Sequence, residues 1–466
     1  MEYISTRGGV TGISFSEAVM MGLAEDGGLL LPRAIPRVDH DTVERWRGFS
    51  YQELAFEVMS RFIDDIPAPD LKALITDSYA SFNDPAVAPM VHAGELHILE
   101  LFHGPTLAFK DIALQFLGNL FAYLLTKSGD QLNIIGATSG DTGSAAIHGV
   151  RGRERINIFI LHPHGRISTV QEKQMTTVTD ANVFNIGIQG TFDEAQAIVK
   201  TIFSDTDFKH HYRLGAINSI NWARVLAQIV YYIYAYLHIR THEQDRTVGF
   251  AVPTGNFGDI FAGYLARKLL PEGAIGSLIL ATNENDILAR LIEDGHYSRR
   301  PVVATSSPSM DIQAASNFER YLYYLFDKEP QRVAGAMADF AQTGVLDLRD
   351  QLDHIRRDFI GCAVSSDEVS QTIAHYYRTY GYVLDPHTAI GVRAGQQLSG
   401  KGTPLVCLAT AHPAKFFDTV ETAIDTRFEL PSSLAAMLDM PSRCEVMEAK
   451  MEDVKAFVAK HALSSS

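Results

Sequence analysis

Short apolar runs alternate with amphipathic stretches through the middle of the chain. The runs are rich in β-branched residues, and each is followed by a loop and then a helical pattern. This pattern predicts strands at 132–137, 156–161, 183–188, 247–252, 277–282 and 403–409. Strands that alternate with helices form parallel sheets covered by helices. Ligands bind at the carboxyl ends of such strands, so we expect the chemistry in the loops that follow them.

The first 95 residues follow a different pattern. Helical periodicity appears at 15–24, 41–63 and 70–81, between segments rich in proline and glycine. We therefore predict an α/β protein with a mainly helical N-terminal domain over residues 1–95. The remainder, residues 96–466, is predicted to form two parallel-sheet α/β lobes with a break near residue 215.

Composition narrows the class of protein. The 466 residues are 46% hydrophobic and 20% charged, which is ordinary for a globular protein with a full core. The net charge of −15 argues against nucleic-acid binding, so an anionic ligand would need a local basic pocket. The three cysteines are too widely spaced for a zinc or disulfide framework, and no secretory signal opens the chain. These features predict a cytoplasmic protein without a metal site. An apolar stretch at 221–239 contains polar residues, which favours a core helix over a membrane span.

A lysine stands at the start of a predicted helix, in the segment FHGPTLAFKD (102–111). Lys110 precedes an apolar face formed by Leu114, Leu117, Phe121 and Leu125. A lysine among apolar residues loses solvation, which favours the neutral, nucleophilic amine. A solvated lysine in the first turn of a helix is the more common arrangement, so position alone leaves both interpretations open.

Two strand-to-helix loops consist of glycines and small polar residues. They are ATSGDTGSAA (137–146), with Ser139, Gly140, Asp141 and Thr142, and PTGNFGD (253–259), with Gly255, Asn256, Phe257, Gly258 and Asp259. Glycine lets backbone amides approach a ligand, and a helix N-terminus favours an anion. Each loop alone could be a tight structural turn, and Asp259 could be only an N-cap. Two such loops in one α/β chain favour a ligand that carries phosphate.

A third loop, TAHPAKF (410–416), follows the last strong strand. Thr410 could offer its hydroxyl to a ligand nitrogen, or the segment could be an ordinary strand-to-helix connection.

Taken in this order, these segments resemble the threonine synthases, and most closely the branch that lacks an S-adenosylmethionine regulatory domain. These are pyridoxal 5'-phosphate (PLP) enzymes of fold type II, the tryptophan synthase β-like fold. The resemblance covers nearly the whole chain. It extends to STRGG near the start, GLAEDGGLLLP (22–32), ISTVQEKQM (167–175), NSINWARVLAQ (218–228), PSMDIQAASNFER (308–320) and LDPHTAIG (384–391).

The resemblance implies conversion of O-phospho-L-homoserine and water into L-threonine and phosphate. It implies that Lys110 carries the cofactor as a Schiff base, that Gly255–Asp259 hold the cofactor phosphate, and that Thr410 faces the pyridine nitrogen. The Ser139–Thr142 loop is then expected near the ring oxygen and the substrate carboxylate. Asp141 departs from many relatives of this fold type, which carry asparagine there, so its role is open.

The substrate phosphate requires cations in a water-poor pocket. The candidates are Arg224 and Lys173, with Asn218, Ser219 and Ser168 as neutral donors. Arg224 could instead pair with an acid on its own helix. Two other functions remain open at this stage: a phospholyase that converts the same substrate to 2-oxobutyrate, and a non-catalytic PLP-binding relative. We expect a monomer or a homodimer.

Overall fold

The structure, a computed structural model, describes residues 1–242, 247–400 and 402–463. The chain divides into two units built from discontinuous segments. The large unit comprises residues 1–76, 82–103 and 219–428, and the small unit comprises residues 77–81, 104–218 and 429–466. Residues 1–76 share the large unit with residues 219–428, so a separate domain over 1–95 stays a prediction.

The first half of the chain contains elements of both units. They are β1 (Tyr3–Ser5), α1 (Phe15–Met21), β2 (Leu30–Pro32), α2 (His40–Trp46), α3 (Tyr51–Met59), α4 (Ala68–Tyr79), β3 (Met90–Ala93), β4 (Leu96–Glu100), α5 (Lys110–Ser128), β5 (Leu132–Ala137), α6 (Asp141–Val150), β6 (Ile156–Pro163), α7 (Thr169–Thr176), β7 (Val183–Gln189), α8 (Phe192–Ser204), α9 (Thr206–His211) and β8 (Leu214–Gly215).

The second half begins with a long helix and ends in a strand and a helix. Its elements are α10 (Trp222–His242), β9 (Val248–Pro253), α11 (Gly258–Leu269), β10 (Ile275–Thr282), α12 (Ile287–Asp294), β11 (His296–Ser298), α13 (Phe318–Leu325), α14 (Pro330–Thr343), β12 (Val345–Asp347), α15 (Leu352–Asp358), β13 (Ile360–Ala363), α16 (Ser366–Tyr380), α17 (Pro386–Leu398), β14 (Leu405–Ala409), α18 (Phe417–Ile424), α19 (Ser432–Leu438), β15 (Glu445–Glu448) and α20 (Met451–His461), with short 3₁₀ helices at Pro308–Met310, Arg349–Gln351 and Pro413–Phe416.

The large unit is organised around a six-stranded sheet in the order β13-β10-β9-β14-β4-β3. All neighbours are parallel except β3 and β4, which form an antiparallel hairpin at the edge. The central strand β9 is buried along its whole length, as expected for a parallel strand covered on both faces. The carboxyl ends of β9, β10, β14 and β4 therefore lie along the same edge of this sheet.

The small unit is organised around a fully parallel five-stranded sheet in the order β15-β7-β6-β5-β8. Its edge strand β15 comes from the C-terminal segment. Asn133 at the start of β5 donates its side-chain amide to the carbonyl oxygens of Tyr212 (2.6 Å) and Leu463 (3.1 Å). The C-terminal segment is thereby fastened to the sheet, and Val454 and Val458 of α20 join its hydrophobic core.

The predicted strands are confirmed, with ends that move by at most two residues. The helical pattern at 41–63 is in fact two helices, because Gly48 adopts φ +83° and Ser50 begins α3 with a capping box to Glu53. The pattern did not predict the β3–β4 hairpin, whose strands are short and carry His92 and His97. All but the first residue of the apolar stretch at 221–239 lies in α10, and no helix among the described residues is long and apolar enough to cross a membrane.

Candidate active site

Lys110 is the first residue of α5, and the chain before it is held in a tight turn. The backbone N–H and the hydroxyl of Thr106 both donate to the carboxylate of Asp111, each at 2.8 Å. The predicted apolar face of α5 is buried, and Lys110 itself is only 8% exposed. A solvated first-turn lysine is therefore excluded.

Asp141 lies beside the Lys110 amine. Its Oδ2 is 3.3 Å from the Nζ of Lys110, and both side chains are buried. Its Oδ1 accepts a hydrogen bond from Nε2 of Gln171 at 2.9 Å. The buried amine thus faces a buried carboxylate rather than only apolar groups.

The Ser139–Thr142 loop takes its shape from glycine and from Thr138. Gly140 has φ +136°, and a Cβ there would meet the Gln171 side chain at 2.5 Å, so only glycine fits. The hydroxyl of Thr138 accepts from the N–H groups of Gly140 (3.0 Å) and Gly143 (2.9 Å). Ser139 and Thr142 are half-buried. This loop delivers Asp141 to Lys110 at the N-terminus of α6.

The two candidates on α7 have local partners. Ser168 is the N-cap and accepts from the N–H of Gln171 at 3.2 Å. Lys173 donates to the carbonyl oxygen of Met440 at 2.6 Å. Gln171 contacts both Ser168 and Asp141, and sequence reasoning did not single it out, although it stands within ISTVQEKQM.

In the large unit, the loop Gly255–Asp259 joins β9 to the N-terminus of α11. A Cβ on Gly255 would lie 2.6 Å from the carbonyl oxygen of Ser309, so the backbone passes too close for a side chain. The left-handed conformation falls on Phe257 (φ +63°) and not on either glycine. The first N–H groups of a helix have no acceptor within that helix. The loop therefore offers a cradle of amides suited to a phosphate.

Asp259 does not cap α11, which begins without a side-chain cap. Its buried carboxylate accepts hydrogen bonds from the hydroxyls of Tyr231 and Tyr232 on α10. Burial raises the pKa of Asp259 to about 6. The side chain faces α10, so any contact with a cofactor phosphate would come from the backbone of Asp259.

Arg224 is buried on α10, at 4% exposure, and its Nε and Nη1 have no hydrogen-bond partner among the residues that the structure describes. The alternative of an acid on its own helix is wrong, because α10 contains no Asp or Glu. Burial lowers the pKa of Arg224 to about 10. Two buried guanidinium donors cost free energy unless a further group accepts their hydrogen bonds.

Ser219, Asn218 and Thr410 complete the predicted set. The Ser219 hydroxyl lies 2.8 Å from that of Ser316 in the large unit, and Asn218 is half-buried at the end of a small-unit segment. Thr410 follows β14 and is buried, and its N–H donates to the hydroxyl of Thr388 at 3.2 Å. Thr410 and the Gly255–Asp259 loop therefore lie at the carboxyl ends of adjacent strands.

Each unit gathers one part of the predicted site. The small unit brings together Lys110, Asp141 and, through Gln171, Ser168. The large unit brings together the loop at 255–259 and Ser219, through Asn317, a residue that the sequence patterns did not single out. No group of three or more His, Cys, Asp or Glu side chains suited to a metal ion occurs within the described ranges.

The class of protein follows from its similarity to known families. A family model described as pyridoxal-phosphate dependent enzyme matches residues 88–410, so this α/β fold with its buried lysine and glycine loops is that of a PLP enzyme of fold type II. Models described as the N terminus and the C-terminal part of threonine synthase match residues 2–79 and 388–458.

Relatives that match over nearly the full length of the chain identify its family within that class. The chain is 47% identical to threonine synthase of Pseudomonas aeruginosa, over 99% of this chain and 98% of the relative. It is 45% identical to threonine synthase of Saccharomyces cerevisiae, over 95% and 94%. A crystal structure of PLP-bound threonine synthase from Brucella melitensis aligns with a TM-score of 0.96 at 43% identity, covering 100% of both chains. The chain belongs to the threonine synthase family, which confirms the predicted fold type and PLP as the cofactor.

Proposed function

We propose that this chain converts O-phospho-L-homoserine and water into L-threonine and phosphate, with Lys110 as the residue that holds the cofactor and moves protons. The observation that supports this assignment most directly is the buried Lys110 amine at the start of α5, in a chain 47% identical to a threonine synthase over 99% of its length.

The residues of this chain fit PLP. Lys110 supplies a buried amine for its aldehyde, and the Gly255–Asp259 loop supplies backbone amides for its phosphate, with no room for a side chain at Gly255. Thr410 would face the ring nitrogen. Bound PLP acts as an electron sink, which acidifies the substrate protons near the reacting carbons.

Lys110 is the general base of the proposed reaction. With PLP bound, its amine would remove the Cα proton of the substrate. Asp141, 3.3 Å away, would then stabilise the resulting ammonium group. Gln171 fixes the carboxylate by its hydrogen bond to Oδ1, so that Oδ2 faces the amine.

Arg224 is the cation that we assign to the substrate phosphate. Its two unpartnered donors would bind the phosphate as it leaves Cγ, with Ser219, Asn218 and Ser168 as neutral donors. Lys173 is the weaker candidate, because it already donates to the carbonyl of Met440. A Cβ proton must also be removed as the phosphate leaves Cγ. Protonation of Cγ, addition of water at Cβ and return of a proton to Cα then complete the conversion to threonine.

Product analysis tests this function. Incubation of the PLP-loaded protein with O-phospho-L-homoserine should release threonine and phosphate in equal amounts. Release of 2-oxobutyrate and ammonia in place of threonine would identify the phospholyase instead. Absence of any phosphate release would indicate a PLP-binding relative without this activity.

We further infer that the enzyme is cytoplasmic, that S-adenosylmethionine does not regulate it, and that it is a monomer or a homodimer.

A further inference from the structure

A short segment of the large unit, residues 316–320, touches both loops to which we assign a phosphate. Asn317 is fully buried at 0% exposure. Its backbone N–H donates to the carbonyl oxygen of Asn256 at 3.0 Å. Its Nδ2 donates to that same oxygen at 3.2 Å and to the carbonyl oxygen of Ser219 at 3.0 Å. One side-chain amide therefore joins the cofactor loop to the segment that leads into Arg224.

Ser316 connects the same two loops a second time. Its hydroxyl lies 3.3 Å from Oδ1 of Asn256 and 2.8 Å from the hydroxyl of Ser219. Two successive residues thus bind the same pair of partners, which limits how far the two loops can move relative to each other.

Arg320 determines which way the amide of Asn317 points. Its Nη1 donates to Oδ1 of Asn317 at 2.5 Å, and its Nη2 donates to the carbonyl oxygens of Ile220 (2.5 Å) and Leu30 (2.8 Å). A guanidinium only donates, so Oδ1 must face it and Nδ2 must face the two carbonyls. The orientation of Asn317 is therefore fixed by the buried guanidinium of Arg320.

We propose that Asn317 is a positioning residue that sets the spacing between the cofactor phosphate loop and the substrate phosphate subsite. The proposal rests on the function proposed above. It makes Asn317 a determinant of substrate length, because the distance between the two phosphate sites must match the number of carbons between the substrate phosphate and its amino group. O-phospho-L-serine is one methylene shorter than O-phospho-L-homoserine. When the distance between the two sites is no longer fixed, it should bind better relative to the substrate than it does in the wild type.

The test compares Asn317→Ala with Asn133→Ala. Asn133 is a matched control, since it is equally buried and also donates its amide to two backbone carbonyls, but at the start of β5 in the small unit. In Asn317→Ala we expect the Kd for PLP and the KM for O-phospho-L-homoserine each to rise about tenfold, the effect of one buried hydrogen bond. Inhibition by O-phospho-L-serine should strengthen relative to substrate binding. In Asn133→Ala the thermal stability should fall while these constants stay unchanged.

Three outcomes would overturn the proposal: equal effects in the two variants, a change in the Kd for PLP alone, or unchanged discrimination against O-phospho-L-serine. If Asn317→Ala does not fold, Ser316→Ala serves, because Ser316 is exposed. The Ser316→Ala variant should raise the Kd for PLP and the KM for O-phospho-L-homoserine by a smaller factor. Unchanged values of these constants would also overturn the proposal.

If the wild-type protein does not turn over O-phospho-L-homoserine, the proposed function fails. The affinities of the variants for PLP and inorganic phosphate then test the spacing by themselves.

Discussion

The amine of Lys110 and the carboxylate of Asp141 form a buried ion pair, with 3.3 Å between Nζ and Oδ2. Burying two charges costs free energy that the pair recovers only with good geometry and further hydrogen bonds. Gln171 supplies such a bond to the other oxygen of Asp141. Asp141 therefore places a carboxylate in contact with the lysine to which we assign the cofactor.

Replacing Asp141 with asparagine should lower kcat more than it raises KM. The isosteric amide keeps the contact with Gln171 but removes the charge that stabilises the protonated Lys110 amine. A charge-assisted hydrogen bond contributes about 1.5–3 kcal/mol, which corresponds to roughly 10- to 150-fold in rate. Steady-state kinetics with O-phospho-L-homoserine measure the effect. The idea would be contradicted by a variant with wild-type kcat and normal PLP occupancy.

Lys110→Ala should abolish turnover and the visible absorbance of the lysine-linked cofactor. PLP should still bind, at lower affinity, because the Gly255–Asp259 loop remains. Lys127→Ala is the matched control, since Lys127 is an exposed lysine on the same helix, and it should retain both activity and absorbance. Near-normal activity of Lys110→Ala would refute the assignment of the active site.

Arg224→Ala should reduce kcat/KM for O-phospho-L-homoserine by about 10- to 150-fold and abolish inhibition by free phosphate. The reason is that the substrate and the product phosphate would share its unpartnered donors. Lys173→Ala should have a smaller effect, because Lys173 is bound to Met440. A fall in PLP occupancy with unchanged phosphate inhibition would assign Arg224 to the cofactor or the fold, and Arg166 would be the next cation to test.

Gly255→Ala should weaken PLP binding, because the added Cβ would lie 2.6 Å from the Ser309 carbonyl and force the loop to shift. Gly335→Ala is the control. Gly335 lies within α14 with open space where its Cβ would be, so alanine should be neutral or slightly stabilising there. Equilibrium dialysis of PLP against both variants measures the difference. Equal affinities would place the cofactor phosphate elsewhere.

Asp259 should make the protein less stable as the pH rises from about 4 to about 6. Its pKa is about 6 in the folded protein against an ordinary value of 3.8, so the folded state binds more protons than the unfolded state in that interval. The loss of stability is at most about 3 kcal/mol. Asp259→Asn mimics the protonated acid and should remove this contribution.

Urea unfolding of the wild type and of Asp259→Asn at pH 4.5 and 7 separates this effect from that of other groups. The buried His162 and the half-buried His412, whose pKa values are lowered to about 4 mainly by desolvation, act in the opposite direction in both proteins. If the difference in unfolding free energy between the two proteins is the same at both pH values, Asp259 does not titrate in this range.

The sheets were predictable and the contacts between distant loops were not. Strands such as 132–137 and 247–252 can be recognised in the sequence, because a buried parallel strand requires a continuous apolar run. Lys110 and the glycine loops were found because helix starts and strand ends have local signals. Gln171 and Asn317 were missed, because an amide that bridges loops 30 or 61 residues away leaves no periodicity in the sequence.

The pairing of Asn133 with Leu463 joins residues 330 positions apart, and it has a consequence for biosynthesis. During translation the chain emerges from the ribosome in order, so β5, β6 and β7 leave long before β15 and α20 exist. The sheet beside the Lys110 helix therefore stays without its edge strand until β15 has been made. Contacts at such separations form slowly because loop closure comes first. The first strands of the small unit are synthesised early, but the sheet of that unit is complete only when β15 has been synthesised and has paired with β7.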